Sequence, residues 1–142
     1  MHADGPHGPI ALRLYRHTDM RRQAPSHATN GQDYLLTSDT IRYFHDHYIE
    51  DTVADHDWRA SPLLHDDLSG LPETFMLTAG YDPLRDKGSQ YSQRLTEAGN
   101  RVTHICFERQ IHGFITMGRV IDEANAAVAI CANVVGQALR QD

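Results

Sequence analysis

The stretch TFMLTAGYDPLRDKGSQYSQRLTEAGNRVTHICF, residues 74–107, constrains the fold more than any other part of the chain. Phe75 to Ala79 is an apolar run of strand length, of the kind buried on both faces of a sheet. Asp82 can serve as a helix N-cap, Pro83 suits the first helical position, and Gly99 marks the stop. Between them Leu84, Tyr91, Leu95 and Ala98 recur at helical spacing. Arg101 to Phe107 reads as a further strand. Near-continuous apolar strands alternating with helices argue for a parallel, doubly wound, three-layer α/β sheet with right-handed crossovers. About three strands with flanking helices fit the length.

The remaining chain fills in that plan. The opening through Pro9 is rich in Gly, Pro and His and reads as poorly ordered. Ile10 to Tyr15 reads as a short strand, followed by a polar connection over 16–33. Thr37 or Ser38 can cap a helix in which Ile41, Phe44, Tyr48 and Ile49 share a face. Tyr43, Phe44 and Tyr48 read as core and pocket wall. Residues 51–73, with Pro62, Gly70 and Pro72, are loop-like. A last helix spans Asp122 to Leu139, with Ala124, Val128, Cys131 and Val135 on one stripe.

At 142 residues, 40% hydrophobic and 23% charged, the chain has one domain's worth of core. Its formal net charge of −6 gives no electrostatic reason to expect nucleic acid or an anionic membrane as partner. Clusters such as Asp66-Asp67 read as solvated loop. No apolar run approaches the roughly 18–20 residues of a membrane span. The N-terminus shows no basic segment followed by an apolar one, so no signal peptide is readable. Cys106 and Cys131 match no metal spacing and read as reduced core residues, making a cytoplasmic setting the default. Ten histidines invite a metal reading, but H-E-x-x-H is absent. His45 and His47, two apart on a helix, face different ways. Gly80, Gly88 and Gly99 form no phosphate-binding pattern. No cofactor or metal is expected.

Chemistry in doubly wound sheets collects at the carboxyl ends of the strands. Asp82 lies just beyond the 75–79 strand, and His112 lies beyond the 101–107 strand, so both belong to the same sheet edge. A carboxylate there can accept the Nδ1 proton of a histidine and hold the tautomer whose Nε2 takes a proton from a nucleophile. Gly113 permits a turn that a Cβ would hinder. Asp82 is equally an ordinary N-cap, and His112 equally a loop histidine bonded to backbone. Asp86 competes as the acid, although in a first helical turn it would also complement the helix dipole. Spacing alone leaves these readings open.

YDPLRDKGSQYSQRL followed by QIHGFI closely resembles the acid and histidine blocks of the hormone-sensitive-lipase-like branch of α/β-hydrolases. The resemblance extends through LRLYRHTDM, GQDYLLTSDTIRYFHDHYI and ASPLLHDDLSGLPETFMLTAG, covering nearly the whole chain from about Pro9. It implies that Asp82 is the acid and His112 the base of a Ser-His-Asp triad acting on small carboxylic esters. Residues 10–142 would be the C-terminal part of the catalytic domain. Two family motifs are missing from this chain: the nucleophile elbow G-x-S-x-G, and the H-G-G-G loop whose amides form the oxyanion hole. Arg16 and His17 also stand where the family usually carries proline and a small apolar residue.

The resemblance therefore implies the C-terminal half of an esterase, inactive alone, with serine and oxyanion hole upstream. In the family fold an earlier strand covers the outer edge of the Ile10–Tyr15 strand, and many members dimerise through the strand here at Arg101–Phe107. Self-association is expected on both grounds. The alternatives are a non-catalytic interaction module or fragment of the same fold, and an unrelated α/β domain in which Asp82 and His112 are structural.

Overall fold

The computed structural model describes residues 2–5, 8–11, 18–21, 24–49 and 54–140. The chain divides into two units, residues 17–112 and residues 1–16 with 113–142.

The first unit is built on a parallel strand pair, β3 (Thr74–Tyr81) and β4 (Val102–Ile111), joined by helix α3 (Arg85–Glu97). The helix starts two residues later than the Pro83 expectation. Asp82 Oδ1 accepts from the Leu84 amide at 2.8 Å and its carbonyl accepts from Arg85 N, so residues 82–85 form a turn that feeds the helix. The stop falls as expected. Gly99 has φ +85°, the amide of Asn100 reaches Leu95 O, and that of Gly99 reaches Thr96 O. This is a Schellman closure, in which glycine adopts the left-handed conformation without steric cost.

Leu95, 1% exposed, packs with Tyr91, Leu63 and Leu68, and Met76, Ala98 and Val102 close the cluster. Leu63 lies in a 3₁₀ turn at Pro62–Leu64, and the loop around it needs partners for its backbone. Arg94 donates to the carbonyls of Leu63 and His65. Asn100 Nδ2 donates to Leu68 O and Leu95 O, while its Oδ1 accepts from Leu71 N at 2.8 Å. The loop is thus fastened to the end of α3.

Upstream in the same unit lie α1 (Pro25–Asn30) and α2 (Ser38–Tyr48). Thr37 caps α2 by accepting from Thr40 N at 3.2 Å. The expected apolar face of α2 is corrected. Ile41, His45 and Ile49 are buried, whereas Tyr43, Phe44 and Tyr48 are 59%, 61% and 71% exposed. The reason is polar. His45 Nε2 bonds Asp55 Oδ1 at 2.7 Å, which places the 41–45–49 stripe, rather than the aromatic one, on the buried side.

A further correction concerns the sheet. β3 is half-buried from Thr74 to Thr78 instead of buried on both faces, because its parallel sheet has two strands among the described residues. Gly88 of α3 sits against Thr78 and Met76, so α3 covers the face they share, and Phe75 and Leu77 alternate onto the other. Of the expected strand at Ile10–Tyr15, residues 10 and 11 are described. The second unit holds an antiparallel pair, β1 (His2–Gly5) and β2 (Gly8–Ala11), and residues 12–17 lie outside the described residues. In this pair Ala3 is the partner of Ile10 and Gly5 that of Gly8.

The second unit also contains α4 (Asp122–Ala138), which follows a 3₁₀ turn at Phe114–Thr116. Ala124 and Ala127 are its buried residues, while Val128 and Val135, expected on the packed stripe, are exposed. Among the described residues no helix is long and apolar enough to cross a membrane, and no group of His, Cys, Asp and Glu could hold a metal ion.

Two outcomes follow for stability. Truncating Leu95 to alanine empties the centre of the cluster and lowers the unfolding free energy by about 2–5 kcal/mol in urea titration. His104, on β4, faces Thr78 Oγ1 at 2.9 Å, and burial pushes its imidazole below the ordinary 6.5. A depressed histidine means the unfolded chain binds more protons at acid pH, so stability is full above 6.5 and falls as the pH drops below it. The urea midpoint should therefore fall between about pH 8 and about pH 5, and His104→Gln should shrink that difference.

Candidate active site

The register of the strand pair decides what meets at its carboxyl edge. From Thr74–Val102 to Ala79–Phe107 the partners are 28 residues apart (102 − 74), but Tyr81 pairs with Ile111, 30 apart (111 − 81). β4 bulges between these points. The bulge brings Glu108 against Gly80, where an added Cβ would lie 1.8 Å from Glu108 O. Only glycine admits that approach. Once the register has stepped to 30, the residue after Ile111 stands level with the residue after Tyr81 (112 − 82).

Those residues are His112 and Asp82. His112 Nδ1 lies 2.8 Å from Asp82 Oδ2. The other carboxylate oxygen is held by the Leu84 amide, so both oxygens of Asp82 are engaged. The carboxyl group is nearly buried, its side chain 13% exposed, while the imidazole remains 39% exposed. Asp82 is therefore both the cap of the turn and the partner of the histidine. Gly113 follows with φ +76° and redirects the backbone. A buried acid bonded to one nitrogen of a partly open imidazole can fix its tautomer and stabilise its cation.

Asp86 is engaged elsewhere. Its Oδ2 accepts from the Ser26 amide at 2.8 Å and its Oδ1 from Arg85 Nε at 2.9 Å. The histidine accordingly meets Asp82 and not its competitor. His45 and His47 diverge as their spacing requires: His45 is buried on Asp55, and His47 is exposed with Nδ1 2.7 Å from Tyr43 O.

The sequence reading of 16–33 as a plain connection misses the residues that support this edge. Helix α1 lies there, and its Ser26 and Asn30 bond the backbone around Asp82. A signal existed: Pro25 at the first helical position and Gly31 just past the last. Lys87 of α3 is buried and donates to the carbonyls of Asp19 and Arg21, holding a second upstream segment.

The family model for the alpha/beta hydrolase fold matches residues 6–116. The chain belongs to the α/β-hydrolase fold family, in its hormone-sensitive-lipase-like branch. Its relatives include carboxylic ester hydrolases. The carboxylic ester hydrolase LipN of Mycobacterium tuberculosis is 39% identical over 114 residues, covering 80% of this chain and 30% of that protein. The ethyl acetate hydrolase of Pseudomonas putida is 32% identical over 130 residues, covering 92% and 41%. Among solved structures, the thermostable carboxylesterase EstE1 from a metagenomic library superposes with a TM-score of 0.82 at 29% identity, covering 87% of this chain and 42% of that one. The chain thus spans less than half the length of these relatives.

Gly80→Ala forces Glu108 away from β3. It should cost about 1–3 kcal/mol of stability and shift the His112 ring resonances in NMR spectra of histidine-labelled protein. Unchanged His112 resonances in a folded variant would show that the register step does not set the pair.

Proposed function

We propose that residues 10–142 are the C-terminal part of a catalytic domain that hydrolyses small carboxylic esters, with Asp82 and His112 as the acid and base of its triad. The observation that carries this reading is the 2.8 Å approach of Asp82 Oδ2 to His112 Nδ1 at the carboxyl edge of a parallel pair. The relatives' activity on esters supports the substrate class.

In this reading Asp82 holds the proton on Nδ1, leaving Nε2 to take the proton of a serine as its oxygen attacks the ester carbonyl. The imidazolium then gives that proton to the departing alkoxide, and water hydrolyses the acyl-enzyme by the same route. The serine and the oxyanion-hole amides would come from residues outside these 142, since no serine here carries the G-x-S-x-G flanks. The chemistry calls for neither metal nor cofactor. Free Cys106 and Cys131 fit a reducing, cytoplasmic setting. The exposed Tyr43, Phe44 and Tyr48 support self-association, to be read by light scattering as a mass above that of one chain.

A polypeptide of these 142 residues should not turn over p-nitrophenyl acetate above buffer, for lack of nucleophile and oxyanion hole. Joined behind the part of the Pseudomonas putida relative that precedes its matched region, it should hydrolyse esters, and His112→Ala should reduce kcat by at least about 10³-fold. A folded chimera without activity, or one indifferent to His112→Ala, would favour a non-catalytic module.

A further inference from the structure

Helix α1 grips the turn that carries Asp82. Ser26 Oγ donates to Pro83 O at 2.7 Å. Asn30 Nδ2 donates to Gly80 O at 3.2 Å and to Asp82 O at 3.3 Å. The contact is reciprocal. The Ser26 amide donates to Asp86 Oδ2, and the Asp86 amide to Ser26 Oγ at 3.3 Å. Ala24, at the N-cap of α1, makes no side-chain capping bond, so the Asp86 carboxylate takes that role across the interface.

From this geometry we propose that Ser26 and Asn30 are positioning residues for Asp82. The inference rests on the reading of Asp82 and His112 as an acid–base pair. Three of the four carbonyls from Gly80 to Pro83 accept from these two side chains, so the peptide planes 80–81, 82–83 and 83–84 are held from α1, the first two together with Arg85. Both side chains are buried, Ser26 fully, and water cannot readily replace either donor. A carboxylate that must present one oxygen to an amide and the other to an imidazole tolerates little rotation of its backbone. A general packing role for α1 would not require donors aimed at these particular carbonyls.

The test uses the full chain labelled with ¹⁵N at histidine and at backbone amides. In the wild type and in Ser26→Ala, Asn30→Ala and Ser26→Thr, two quantities are read: the His112 ring tautomer from its nitrogen shifts, and amide exchange at Leu84 against Leu95. Leu84 N reports the carboxylate directly because it donates to Asp82 Oδ1. Each alanine variant should lower the Nδ1–H population of His112 and speed Leu84 exchange about tenfold, as loss of one ordinary hydrogen bond does. Leu95 exchange should stay put, and Ser26→Thr, which keeps a hydroxyl, should resemble the wild type. Wild-type tautomer and Leu84 exchange in folded alanine variants would overturn the proposal. If Asn30→Ala does not fold, Ser26→Ala, which removes one oxygen, decides alone. A wild type without the Nδ1–H tautomer would sink the acid–base reading. Leu84 exchange would then still decide whether α1 positions Asp82: faster exchange in Ser26→Ala would support it, and unchanged exchange would overturn it.

Discussion

Two parallel strands that kept one register along their whole length would set Asp82 level with Gln110, not with His112. The two-residue step opposite Gly80 removes that mismatch, and the rest of the edge depends on it. A bulge stabilises nothing by itself, since it interrupts the ladder and leaves a residue unpaired. Here it re-aims a strand end. The missing Cβ at Gly80 is the local condition, and the Leu63–Leu68–Tyr91–Leu95 cluster under α3 supplies the burial that keeps the strands together.

Around that step the two aspartate carboxylates have separate partners. Asp86 bonds α1 and Arg85, Asp82 bonds Leu84 and His112 through its carboxylate, and Asn30 shares the Gly80 and Asp82 carbonyls with Arg85. An acid near a histidine in sequence is common; an acid with one oxygen fixed by an amide and the other aimed at Nδ1 is a narrower condition. The division explains why two aspartates four residues apart have different partners.

Much of this was legible from residue order, and the exceptions have physical causes. Asp82, Pro83 and Gly99 bracket α3 because backbone chemistry alone demands such residues at a turn and a helix stop. The strand Phe75–Ala79 was visible as an apolar run, but how deeply it is buried depends on neighbouring strands, which no local pattern encodes. The bulge was invisible, since nothing in FERQI distinguishes a straight strand from a kinked one, and the meeting of Asp82 with His112 hinges on it. The face of α2 was misjudged because a buried His45–Asp55 bond outweighs aromatic spacing. Helix α1 escaped because six residues are too few for a periodicity, and its capping partner, Asp86, lies sixty positions away.

The site turns on one contact, the hydrogen bond between His112 Nδ1 and Asp82 Oδ2. Nitrogen chemical shifts of the neutral His112 ring test it most directly, comparing the wild type with Asp82→Ala. The wild-type ring should carry its proton on Nδ1, and removal of the carboxylate should move it toward Nε2. A wild-type ring protonated on Nε2, or one that does not respond to Asp82→Ala, would contradict it.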